Sequence, residues 1–234
     1  MAANKTKIIK AGTGYFSVRE NTSDLKAIKE VVVNEAYKRR GFVPEPDEVW
    51  IDIGANCGAF SVWAAKKGCR VIAFEPDPEN AAIAQSNIDL NNVSKSVKLY
   101  TLGLTAEDEP KRLYFYRNTA NGNVWRNSLY KEWRGGERIA VDTVPVEAYW
   151  NPDYCIKLDA EGVEMPILEK YGHIKVKKLV FEWSFDIDPS IKRFNDVIDK
   201  LKNIYDNVQY GGFQAGYETW QPSWFPAARM VWCY

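Results

Sequence analysis

Residues 49–77, VWIDIGANCGAFSVWAAKKGCRVIAFEPD, constrain this chain more than any other stretch of it. They read as an apolar run, a loop carrying Gly54 and Gly58, a short helix ending at Gly68, a second apolar run over 71–74, and then Glu75. Apolar runs of this length without alternation suit strands covered on both faces, and such strands lie parallel with helices between them. The pattern predicts a doubly wound α/β sheet, in which a ligand sits beyond the carboxyl ends of the central strands.

Strand and helix signals keep alternating toward the C-terminus. Asp77 suits the N-cap of a helix with Pro78 in its first turn, where a missing N–H costs nothing. Further strands are expected at 97–102, 154–158 and 178–183, helices near 165–170 and 189–205, and closing strands at 208–210 and 230–234. Runs at 111–117 and 137–141 read as added strands around an acceptor-side insert at about 117–138. Upstream, residues 6–18 suggest a hairpin with Gly12 and Gly14. Thr22 or Ser23 can cap a helix through Leu25, Ile28, Val32 and Ala36 that stops at Gly41. The chain thus divides into a hairpin-helix extension, 1–48, and a main domain, 49–234. One rim of the sheet would carry residues 52–58, Glu75, residues 101–103 with Leu102 and Gly103, Asp159 and Glu182.

Lys plus Arg and Asp plus Glu both number 31, so the net charge is zero and the footprint of bulk nucleic-acid binding is missing. The four cysteines form no C-x-x-C pair, and with one histidine they do not make a zinc finger. Free thiols in a reducing compartment are the simpler reading. No apolar leader opens the sequence and no segment supplies about 18 uninterrupted apolar residues, so a cytoplasmic protein without a membrane span is expected.

Three ligand classes compete for the loop DIGANCGAF. A phosphate-binding P-loop needs G-x-x-x-x-G-K-[ST], and no lysine follows Gly58. A dinucleotide fingerprint starting at Gly54 needs glycines at 56 and 59, where this chain has Asn56 and Ala59. S-adenosylmethionine fits better. Asp52 can receive its ammonium directly or through water, the glycines let backbone pass close to it, and Glu75 can accept both ribose hydroxyls. The bland alternative is a tight turn whose glycines serve packing, with Glu75 on a solvated rim.

A second constellation, YCIKLDAEGVEMPILEKY at 154–171, puts Asp159 at a strand end with Glu161 and Glu164 in the following turn. Acids at a helix start are favourable in themselves, so those two glutamates can be structural. Here the chain resembles a known family. DIGANCGAFSVWAA, VIAFEPDPENAAIAQSNIDLNN, IKLDAEGVEMPILE and a strand ending in LVFEW look like the FkbM-type group of class I methyltransferases, over roughly residues 49 to 185 in order and spacing. The resemblance implies the Rossmann-like seven-stranded sheet, S-adenosylmethionine as donor, and O-methylation, commonly of a sugar or a sugar-bearing natural product. By that resemblance Asp52, Gly54, Asn56 and Gly58 match the cofactor loop and Glu75 the ribose acid. Asp159 and Glu161 match the D-x-E-G element, and Glu182 the late strand-end acid. Cys57 stands where such loops often carry a small aliphatic residue.

An alcohol is a poor nucleophile, so a base at hydrogen-bond distance helps; Asp159 is the first candidate, with Glu182 and Glu161 behind it. Asp159 and Glu182, with Asp186 or Asp188, could instead hold a divalent cation such as Mg or Mn that acidifies the acceptor. His173 follows a helix on the side away from the rim, where a surface role is expected. Asn118, Asn121, Trp125, Arg126, Asn127, Tyr130 and Trp133 offer flat rings among amide and guanidinium donors, a mix that suits a small-molecule or glycan acceptor. An edge hairpin with structural aromatics explains them as well, and residues 217–226 form a second candidate wall. Outside this reading stand a nicotinamide-dependent oxidoreductase and a non-catalytic cofactor-binding module. Within it stands a nucleic-acid acceptor.

Overall fold

Strands buried on both faces need apolar side chains at successive positions, and the chain supplies them four times between residues 49 and 184. A computed structural model describes residues 5–117, 127–132, 135–185, 187–212 and 228–234. Strands β1 (Thr6–Ala11) and β2 (Gly14–Arg19) form an antiparallel hairpin, followed by the short helix α1 (Asp24–Ile28). Then come β3 (Val49–Ile53), α2 (Ala59–Ala65), β4 (Arg70–Phe74), α3 (Pro78–Leu90) and β5 (Val97–Tyr100). The inserted strands are β6 (Gly103–Thr105), β7 (Lys111–Arg117) and β8 (Glu137–Pro145). The chain continues through β9 (Cys155–Leu158), α4 (Glu164–Tyr171), β10 (Lys178–Ser184), α5 (Ile191–Lys202), β11 (Val208–Gly212) and β12 (Ala228–Cys233).

Seven of these strands form one sheet in the order β11-β12-β10-β9-β3-β4-β5, with β12 antiparallel to both its neighbours. This is the seven-stranded, Rossmann-like arrangement expected from the sequence. The strand order reverses at β3, so β3 and β9 lie side by side and their carboxyl ends open onto a common crevice. One apolar layer packs α2 and the N-terminal extension against one face of the sheet, including Phe16, Phe42, Trp50, Phe60 and Trp63. The other face is covered by α4 and α5, with Ile156, Leu168, Phe181 and Phe194.

Two local expectations change. The helix expected to run through Ala36 ends earlier: α1 gives way to a π-helical turn over Lys29–Val33, and Glu35 has a left-handed φ of 49° that an α-helix does not tolerate. Ser23 makes no side-chain cap; Thr22 Oγ1 accepts from the Asp24 N–H instead. The strand expected over 97–102 stops at Tyr100, and Gly103 already belongs to β6 of the three-stranded sheet β6-β8-β7. Asp77 is the N-cap of α3, accepting from the Glu79 N–H at 2.9 Å with Pro78 behind it, as its position suggested.

The extension is tied to α3 by side-chain amides. Asn87 Oδ1 accepts from the Ser17 N–H at 2.6 Å, and Asn91 Nδ2 donates to the Tyr15 carbonyl at 2.6 Å. Among the described residues no helix is long and apolar enough to cross a membrane.

Candidate active site

The loop after β3 is folded against protein on both sides. Gly54 has φ 80°, and a Cβ there would stand 2.0 Å from the Asp159 carbonyl oxygen; Gly58 has φ 76°, and its Cβ would stand 3.1 Å from Ala84 of α3. The sequence suggested that these bare positions clear a ligand. The structure supplies a requirement of its own: the loop after β9 and helix α3 leave no room for a side chain at either position. Asn56 adopts φ 51°, which asparagine accepts better than most residues, and its N–H donates to Glu75 Oε2 at 2.7 Å. The Asp77 N–H donates to Glu75 Oε1 at 2.9 Å. Burial, with the Asp77 charge behind it, pushes the Glu75 carboxyl up to about 7, against the pull of those two N–H groups. Each oxygen keeps a second lone pair for another donor.

Asp52 has a partner that the sequence did not name. It is completely buried and pairs across the parallel register with Lys157 of β9. Ser61 Oγ donates to its Oδ2 at 2.6 Å, and Lys157 Nζ stands 3.1 Å from its Oδ1. The ammonium that Asp52 meets is the chain's own, a partner beside the ligand ammonium that the sequence offered it directly or through water. Lys157 also donates to the Gly54 carbonyl at 2.5 Å. Burial opposes its charge, but Asp52 and Asp159 outweigh burial and raise its pKa. Sequence reading missed this residue, although a lysine inside the apolar run of a central strand was a visible signal.

Beyond β9 the acids gather. Tyr37, from the N-terminal extension, donates its hydroxyl to Asp159 Oδ2 at 2.5 Å. Burial and the Asp159 charge hold that phenol neutral, well above its ordinary pKa. Glu164 accepts from the Ala160 and Gly162 N–H groups, each at 2.6 Å, and so shapes the turn; burial pushes it up to about 7. In that turn Glu161 has a left-handed φ of 55°, and Ser184 Oγ lies 3.2 Å from its Oε2 and 3.5 Å from Glu182 Oε1, bridging the two acids. Burial and the charges of Asp159 and Glu161 raise Glu182 well above the usual carboxylate range. Glu30 of the extension, also pushed up to about 7 by burial, feels the Asp159 charge as well.

A cleft of about 490 Å³, counting the open space at its mouth, joins the two groups. Gly54, Asn56, Glu75 and Gly103 line it, together with Asp159, Glu161 and Asn127. Asp52, Gly58, Leu102, Tyr130 and Glu182 are not among its lining. Leu102 instead packs against the core layer of α4 and α5. The insert is anchored on the α3 N-cap at its start and near its middle: Arg117 donates twice to Asp77, at 2.7 and 2.8 Å, and Asn127 Nδ2 donates to Asp77 Oδ2 at 3.1 Å. Tyr130 is half exposed. Asn118, Asn121, Trp125, Arg126, Trp133, Asp186 and residues 217–226 lie outside the described residues. His173 is exposed beyond the end of α4. Among the described residues no group of three or more His, Cys, Asp or Glu side chains is placed to hold a metal ion; Asp159 and Glu182 lack a third ligand there.

Known proteins resemble this chain. A 90-residue stretch is 33% identical to the AMB antimetabolite synthetase AmbE of Pseudomonas aeruginosa, covering 38% of this chain and 4% of that protein. Methyltransferase sdnD of Sordaria araneosa is 27% identical over 173 residues, 60% of this chain and 66% of its own length. A tRNA (guanine(37)-N(1))-methyltransferase of Theileria parva is 36% identical over 52 residues, 22% of this chain and 11% of that one. The chain therefore spans less than two thirds of each of these relatives. The crystal structure of Methyltransferase FkbM from Methylobacillus flagellatus superposes with a TM-score of 0.51 at 16% identity, over 84% of this chain and 46% of that one, and shares the fold. The Methyltransferase FkbM domain model matches residues 52–217, from the buried Asp52 through Glu75, Asp159 and Glu182, and the chain belongs to that methyltransferase family.

Proposed function

We propose that the protein transfers a methyl group from S-adenosylmethionine to a hydroxyl of a sugar, a glycan or a glycosylated small molecule, with Asp159 as the base. The observation that carries this reading is one cleft lined by both Glu75 and Asp159. The residues present suit the donor: Glu75 is buried, held by two backbone N–H groups, and keeps lone pairs for a ribose diol. Gly54, Asn56 and Gly103 supply the walls beside it. When bound, the sulfonium supplies an activated methyl group for in-line displacement, so alignment of the acceptor oxygen contributes much of the rate.

Asp159 takes the hydroxyl proton, and Lys157 and Tyr37 hold it in place from behind. Glu161 and Glu182 stand next to it as a proton reserve. Asn127, which lines the cleft, is the acceptor contact this reading assigns among the described residues, with Tyr130 beyond that lining. Zero net charge favours a small-molecule or glycan acceptor over bulk nucleic acid. The short matches to a tRNA methyltransferase favour a nucleic-acid acceptor as the second reading.

The test is methyl-labelled S-adenosylmethionine offered with methyl glycosides, glycosylated natural products, nucleosides and tRNA, with and without exhaustive chelation. Label in a sugar hydroxyl that persists under chelation is the expected result. Label in tRNA alone would replace the acceptor class. Loss of turnover on chelation would move the Asp159–Glu182 pair to the role of Mg or Mn ligands. Failure to bind S-adenosylmethionine in calorimetry, with binding of NADH instead, would sink the reading altogether.

A further inference from the structure

We propose that Tyr37 is a positioning residue for Asp159, so that the N-terminal extension aims the base of the cleft. The inference rests on the reading of Asp159 as that base. Tyr37 lies outside residues 52–217 matched by the family model and 122 positions from Asp159 in sequence, so the contact is a product of this chain's own extension. Both contacts of the Asp159 carboxylate fall on one oxygen. Tyr37 donates to Oδ2 at 2.5 Å and Lys157 Nζ stands 3.9 Å from it, while Oδ1 has no partner among the described residues.

A carboxylate has two equivalent oxygens that exchange by rotation about the terminal side-chain torsion, a soft and roughly two-fold one. A donor fixed on Oδ2 stops that exchange and leaves the lone pairs of Oδ1 for an acceptor hydroxyl. The donor itself is well held. The Tyr37 ring sits 5.2 Å from Phe60 of α2 in an edge-on contact, and its carbonyl accepts from Trp232 Nε1 of β12 at 3.0 Å. The phenol is therefore fixed by groups that have no part in the chemistry. Its hydroxyl is the one atom of the residue that reaches the cleft acid.

Tyr37→Phe removes the hydroxyl and keeps the ring contacts. With labelled S-adenosylmethionine and whichever compound of the panel above takes label, the variant should lose about 10- to 100-fold in kcat, as a small misplacement of a reacting group does. Its KM for S-adenosylmethionine and its melting temperature should stay at the wild-type values. Because Tyr37 acts through Asp159, Tyr37→Phe combined with Asp159→Asn should be no slower than Asp159→Asn alone. A kcat within twofold of wild type, a loss confined to KM or melting temperature, or multiplicative effects in the double variant would each overturn the positioning role. Wild-type turnover in Asp159→Asn would instead remove the base assignment on which it rests. Independently of any acceptor, proton NMR should show a downfield Tyr37 hydroxyl resonance that disappears in Tyr37→Phe and in Asp159→Ala; its absence from the wild type overturns the contact itself.

Discussion

The two ends of the cleft are built differently. At the donor end, Glu75 is held by the backbone N–H groups of Asn56 and Asp77, partners within 19 residues of it and on the same βαβ unit. At the acceptor end, Asp159 is held by Tyr37 from an extension 122 residues away, which also brings Glu30, and Glu182 comes from β10. Backbone donors on one short unit survive as long as the loop keeps its shape. Side chains drawn from three segments depend on how those segments pack.

The comparison can be broken most sharply by Asp159→Asn. Turnover should fall about 10²- to 10⁴-fold, the range for loss of a positioned base, while calorimetric affinity for S-adenosylmethionine stays within a few-fold of wild type. A matching loss of affinity would mean that the two ends are not separate. Lys157 joins them, because it contacts Asp52 below the donor loop and Asp159 at the acceptor end. Lys157→Met leaves the fully buried Asp52 without its cation and should cost about 3–5 kcal/mol in urea denaturation, with most of that recovered by adding Asp52→Asn.

Glu75→Gln should do the reverse of Asp159→Asn. One amide N–H₂ must then face a backbone N–H, and affinity for S-adenosylmethionine should fall about 10- to 100-fold at an unchanged kcat under saturation.

The smallest effect concerns the acids raised by burial. Glu30, Glu75 and Glu164 each reach about 7 in the folded chain. A carboxyl that holds its proton more tightly folded than unfolded contributes stability fully below its unfolded pKa of about 4.3, and that contribution is lost as pH rises through 7. The melting temperature should thus decline between about pH 5 and 8. Glu30→Gln should flatten the decline by about 2–4 °C at the alkaline end, as read by calorimetry. An unchanged slope would remove Glu30 from the acid cluster.

Much of the molecule was legible in the residues. Apolar runs at 49–53, 71–74, 154–158 and 178–183 became the central strands because a buried parallel strand tolerates little else. Asp77 and Pro78 marked a helix start because capping is local chemistry. The end of α1 was not legible. A left-handed Glu35 is chosen by what the chain packs against, and a glutamate carries no local preference for it. The site divides in the same way: Glu75 and Asp159 could be named from spacing alone, whereas the partner of Asp52 could not.

By itself the sequence determined the doubly wound sheet, the rim on which chemistry is possible, and the acid at each end of the cleft. Periodicity, caps and strand-end acids are properties of neighbours along the chain. Only the tertiary structure decided that Gly54 and Gly58 pack against protein, that Asp52 pairs with Lys157, and that Tyr37 stands on Asp159. Those contacts join residues as much as 122 positions apart. They depend on the register of β3 against β9 and on how the extension lies over α2, neither of which is written in any short stretch of residues.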